Sequence, residues 1–159
     1  MVIKRTPQQA RAEAFQMMVD LWRKVRSGAY VYVKRGAVNW ATFPFQKYKR
    51  CVSIVQDEVS LLKSEGRREA AVTFEIMSLI PVKAVDDPTK DIIEINDVLE
   101  DEMIFDAERV LLHLSQAESK IEPGMKVTAK VVTEDSEATE VHDPDIGVQG
   151  IVIPFTIGF

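Results

Sequence analysis

The chain has 159 residues, is 46% hydrophobic and 28% charged, and carries a net charge of −5. That is the length and balance of one ordinary globular domain, which buries roughly two-thirds of the surface its unfolded form exposes and needs no disulfide or metal staple. One cysteine, Cys51, excludes an intrachain disulfide and favours a reducing setting; the opening MVIKRTPQQARAEAF has no signal-peptide core, and no stretch approaches the ~20 apolar residues of a membrane helix, so a soluble, non-secreted chain is expected.

Residues 8–26 read as the first helix. Ala14, Phe15, Met18, Leu21, Trp22 and Val25 recur at helical spacing as one apolar stripe. Thr6-Pro7 is a start signal, Lys24 and Arg26 suit the negative end of the helix dipole, and Ser27-Gly28 stops the run. Tyr30-Val31-Tyr32-Val33 predicts a short strand, with Lys34-Arg35-Gly36 as a turn. A long excursion at about 34–50 follows, in which Trp40, Phe43, Phe45 and Tyr48 sit among Lys47, Lys49 and Arg50 with no clean period. Residues 51–55 predict another strand, and 57–65 read equally as a helical turn or a continuation of that strand.

Residues 67–82 give the clearest strand: Val72, Phe74 and Ile76 alternate with Thr73, Glu75 and Met77. Pro81 should end it or mark an edge, and Asp86-Asp87-Pro88 makes a turn. Helical periodicity then spans 91–116 through Ile92, Ile95, Val98, Leu99, Ile104, Phe105, Val110, Leu111 and Leu114, with acids early and a possible break at 100–102. Glu122-Pro123-Gly124 turns into a half-buried strand at 125–133, an acidic loop at 134–147 and a last strand at 148–159. In that strand Ile151, Ile153, Phe155, Ile157 and Phe159 share one parity and should face the core, and Pro154 predicts an open edge. This order, helix, strands, helix, two strands, predicts an α+β fold: a mainly antiparallel sheet packed against two principal helices, in a single domain over 1–159.

No motif carries catalytic chemistry. The seven glycines form neither GxGxxG nor GxxxxGK[ST]. Cys51 lies in an apolar strand, where it serves as a small hydrophobe, and His113, in Leu112-His113-Leu114, reads as a buried or half-buried structural histidine. Glu134, Asp135, Glu137, Glu140, Asp143 and Asp145 surround His142 without an EF-hand or zinc pattern, so a solvated acidic loop is expected, with no metal and no cofactor. The aromatic and basic excursion could stack bases and hold phosphates, although a pI of about 5.1 does not mark a dedicated nucleic-acid binder. The charge is divided unevenly along the chain. Residues 1–50 hold eleven Lys/Arg against Glu13 and Asp20, a net +9, and residues 51–159 carry a net −14. Such a chain can attract copies of itself head to tail, attract phosphate, or interleave its halves on folding.

In order and texture the chain resembles the tail terminator (tail completion) proteins of tailed bacteriophages. The likeness rests on the amphipathic opening helix, the passage RREAAVTFEIMSLIPV to IIEINDVLEDEMIFDAERVLLHL, and the closing strands KVTAKVVTED and VQGIVIPFTIGF. The excursion at 34–50 has no counterpart in the family pattern and admits another neck or head–tail joining subunit. The resemblance implies a structural virion protein, assembled in the host cytoplasm, with no catalytic residues. It implies a ring, typically a hexamer, that caps the tail tube, ends tube polymerisation and meets the head–tail connector (stopper) protein, while genomic DNA passes through the lumen unbound. Under that reading Trp40, Phe43, Phe45, Lys47, Lys49 and Arg50 of one copy and Glu134, Asp135, Glu137 and Glu140 of the next are candidate subunit-interface residues, Trp40 or Phe43 acting as an anchor. An acidic lumen would also repel the passing DNA.

Overall fold

The computed structural model describes residues 7–61, 68–80, 89, 92–117, 130–131, 141–143 and 146–158. Helix α1 spans Pro7–Lys24, with the proline in its first turn, where a missing N–H costs nothing. Its apolar stripe is the expected one with Val19 added: Ala14, Phe15, Met18 and Trp22 are buried, Leu21 and Val25 pack against them, and Val19, outside the expected stripe, is buried too. The end differs from expectation. Residues Val25–Gly28 form a 3₁₀ turn in which Arg26 and Ser27 take left-handed conformations (φ 49° and 51°). Arg26 therefore leaves the helix instead of capping its dipole.

The sheet is α+β as expected and mainly antiparallel. Strands β1 (Tyr32–Arg35), β2 (Arg50–Leu61), β3 (Arg68–Leu79), β4 (Lys130–Val131), β5 (Val141–Asp143) and β6 (Ile146–Gly158) lie in the order β1-β2-β3-β6-β4, with β5 also on β6. β2, β3 and β6 are antiparallel neighbours, in a register that sets Val52 beside Ile76 and Ile151, and Ile54 beside Phe74 and Ile153. Cross-strand partners share a face, so these residues form one apolar surface, continued by Val72 with Phe155 and Ala70 with Ile157. Helices α1 and α2 (Ile92–Ala117) cover it, α1 over β1 and α2 over β6 and β3. Trp22 stands edge-on to both Tyr30 and Phe74 at the centre, at 4.8 and 5.3 Å.

Several expected boundaries move. β1 begins two residues late: Tyr30 is buried ahead of it, and Lys34 and Arg35 belong to the strand, which Gly36 ends at φ 121°. β2 continues through 57–61, with a bulge at Asp57 where the register against β3 slips by one residue. α2 runs without a break through 100–102, and Val98 and Phe105, expected in its core stripe, are exposed. Part of the expected acidic loop is strand, since Val141–Asp143 pairs with Val148 to Ile146. The expected turns at 86–88 and 122–124, Pro81, most of the strand at 125–133 and the chain opposite the predicted open edge at Pro154 lie outside the described residues.

β1 and β2 are parallel neighbours. Parallel neighbours cannot be joined by a tight hairpin; the chain must cross back over one face of the sheet. Both helices occupy the first face, and residues 36–49 cross the second. This accounts for the aromatic excursion and its lack of period: its rings are set by packing onto a sheet from a loop.

Candidate interaction site

Two side-chain clusters and one surface carry the polar and aromatic residues singled out in the sequence. The first cluster ties the end of α1 to α2. Asp106, 1% exposed on α2, accepts hydrogen bonds at Oδ2 from Arg26 Nε and Tyr30 Oη, both at 2.7 Å. Arg26 Nη1 also pairs with Glu102 at 2.7 Å, and Arg50 pairs with the other Glu102 oxygen. The left-handed turn at Arg26-Ser27 aims the guanidinium back at α2, where two bonds to Asp106 and Glu102 hold it. A buried carboxylate needs such partners, because removing it from water unpaired costs several kcal/mol, on the order of the stability of a small domain. The hydrogen bond to Asp106 raises the Arg26 pKa. Burial first, and then the bond to Asp106, push the Tyr30 phenol well above its ordinary value. Two cations of the basic half are thus spent on two acids of the acidic half, and to this extent the fold interleaves them. Arg50, expected at a subunit interface, is half-buried in this network.

The second cluster is the crossover on the second sheet face. Phe43 stacks edge-on against Trp40, Phe45 and Tyr32 at 4.9 to 5.1 Å. Below them lie Cys51, Met77 and Val148, with Phe45 7% exposed. Trp40 Nε1 donates to Glu75 at 2.8 Å, which anchors the crossover to β3. These rings are the lid of a small second core of their own chain. Trp40 and Phe43 keep some exposure, and Lys47 and Lys49 are exposed at its rim. Cys51 is fully buried, and burial pushes its thiol up to about 12. It lies on the face away from α2, where His113 is exposed and not buried as expected; the fold does not bring the two together. The side chains of His142, Asp143 and Asp145 and all of Glu134, Asp135, Glu137 and Glu140 lie outside the described residues.

The surface shows a charge division that the linear count only suggested. No acid occurs from Leu21 to Gln56. Exposed Lys34 and Arg35 lie on edge strand β1, and Arg35 rests over the Phe15 ring of α1 at 4.2 Å. Lys47 lies over Tyr48, whose ring meets Tyr32 of β1, so this cation belongs to the same end. Asp97, Asp101 and Glu108 are exposed along α2, over β6 and β3 at the other end. Exposed cations therefore line edge strand β1, with Glu13 and Asp20 also exposed on α1 above it, and exposed acids line α2. Among the described residues, no helix is long and apolar enough to cross a membrane. No family model matches the chain, and no curated protein matches it.

Proposed function

We propose that this chain is a ring-forming assembly subunit of the tail-terminator kind, which caps a phage tail tube, ends its polymerisation and joins the tail to the connector. The observation that carries the reading is the placement of exposed cations along edge strand β1 and of exposed acids along α2. Two different, complementary surfaces on one subunit define a heterologous contact, and such contacts close into rings when the rotation allows. Complementary charge contributes chiefly to orientation and association rate, which suits a subunit that must arrive in one register on a growing tube. A neighbouring neck subunit would use the same contact, bind the connector and leave the tube free.

Light scattering across concentration at low and high salt tests the reading. A closed oligomer near six copies that loosens with salt is expected, because exposed charge pairs weaken as the Debye length falls to about 8 Å at physiological ionic strength and shorter above it. Incubation with a polymerising tail-tube protein should also yield shorter, capped tubes. Absence of both self-association and any effect on tube length would overturn the proposal. DNA affinity falling steeply with salt would replace it with a nucleic-acid accessory role.

A further inference from the structure

Helix α2 is apolar on two opposite sides. Its inner seam is Met103, Ala107, Val110, Leu111 and Leu114, all buried against the sheet and α1. Its outer side carries Val98, Phe105 and Leu112, 60%, 52% and 55% exposed. Seven residues turn an α-helix by two turns less about 20°, so these three fall in a line about 20 Å long, roughly opposite the inner seam. An amphipathic helix on a domain surface needs only one such seam. Asp97, Asp101 and Glu108 border the outer line on one side, and Arg109 lies over the Phe105 ring on the other.

A fourth exposed large apolar residue among those described, Val31, 60% exposed, stands directly before edge strand β1 with its exposed Lys34 and Arg35. Exposed Arg23, Lys24, Lys34 and Arg35 surround it in sequence. The two surfaces match in kind and oppose in charge: an apolar line with an acidic border, and an apolar residue among cations. Pairing α2 with α2 of another copy fits less well. Antiparallel through Phe105, it would bring Asp101 of each copy within one residue's rise, ~1.5 Å along the axis, of Glu108 of the other on the same side of the seam, and like charges that close repel.

We propose that the outer line of α2, Val98, Phe105 and Leu112 with its acidic border, docks on the basic edge around Val31 of a second copy of this chain. The inference deepens the ring reading and rests on it. It names the two halves of the heterologous contact, with Phe105 as the central aromatic anchor.

A mixing experiment tests it. Phe105→Asp disables one half and the double variant Val31→Asp/Lys34→Glu disables the other; all three side chains have exposure that tolerates change, and circular dichroism checks folding. Each variant alone should lose self-association, with an apparent Kd at least tenfold weaker. An equimolar mixture should form a species of two copies that does not grow, because each partner keeps one intact half. Phe105→Leu should keep assembly. Assembly of Val31→Asp/Lys34→Glu like the wild type would overturn the proposal while leaving a ring built on another contact. A wild type monomeric at every concentration would overturn it too, and tube capping would then judge the ring reading separately.

Discussion

At the residue scale, the Asp106 cluster and Cys51 make the protein sensitive to alkali. Tyr30 and Cys51 have ordinary values of 10.0 and 9.0, and both are raised on folding, Cys51 to about 12. The folded protein then holds protons that the unfolded chain releases, so their contribution is complete below the unfolded values and is lost as pH rises towards the folded ones. Urea midpoints should therefore fall between about pH 9 and 12, first through Cys51 and then, above about pH 10, through Tyr30. Tyr30→Phe should cost roughly 1.5–3 kcal/mol at neutral pH by removing a hydrogen bond to the buried carboxylate of Asp106. It should also flatten the decline above pH 10. An unchanged slope in Tyr30→Phe would locate the alkaline loss elsewhere.

At the scale of elements, the crossover at 36–49 has a structural task. It links parallel neighbours β1 and β2 and closes the second sheet face over Cys51, Met77 and Val148. Trp40 supplies its aromatic contacts with Phe43 and Phe45 and its hydrogen bond to Glu75. Trp40→Ala should destabilise the monomer by roughly 2–3 kcal/mol, below the 3–5 typical of a fully buried aromatic because Trp40 is only half-buried. Chemical denaturation checks this. A loss of assembly with no loss of stability would instead make Trp40 a contact to a neighbouring subunit.

On the scale of the whole molecule, two cores share one sheet. The α1–α2 side and the crossover side are both built on β2, β3 and β6, which pair along most of their length. Trp22 reports on one core and Trp40 on the other. Separate loss of either core would expose apolar residues of the same strands, so one cooperative transition is expected. Tryptophan fluorescence and far-ultraviolet circular dichroism should coincide in denaturant. A fluorescence transition preceding the loss of ellipticity would show that the crossover opens independently. The same shared sheet holds the basic edge and acidic helix apart, which is what lets one subunit present two unlike surfaces.

Periodicity alone determined the pieces whose burial is local. The stripe from Ala14 to Trp22, the alternation of Val72, Phe74 and Ile76, and the parity of Ile151 to Ile157 each follow from one element having one buried side. Composition and element order were enough for the α+β class. Tertiary structure decided whatever depended on a distant partner. Tyr30 is buried ahead of its strand because Trp22 and Asp106 receive it, and Arg26 leaves its helix because two acids about eighty residues away bind it. β2 runs to Leu61 because β3 offers a register past the bulge. Met77 and Cys51 share a small core because a crossover forced by parallel strands lands on them. The candidate surface was legible only as a charge count and a set of apolar positions. Which cations were consumed internally, and that Val98 and Phe105 face away from the core, depended on how α2 rotates against the sheet, and local spacing does not encode that rotation when a helix is apolar on two sides.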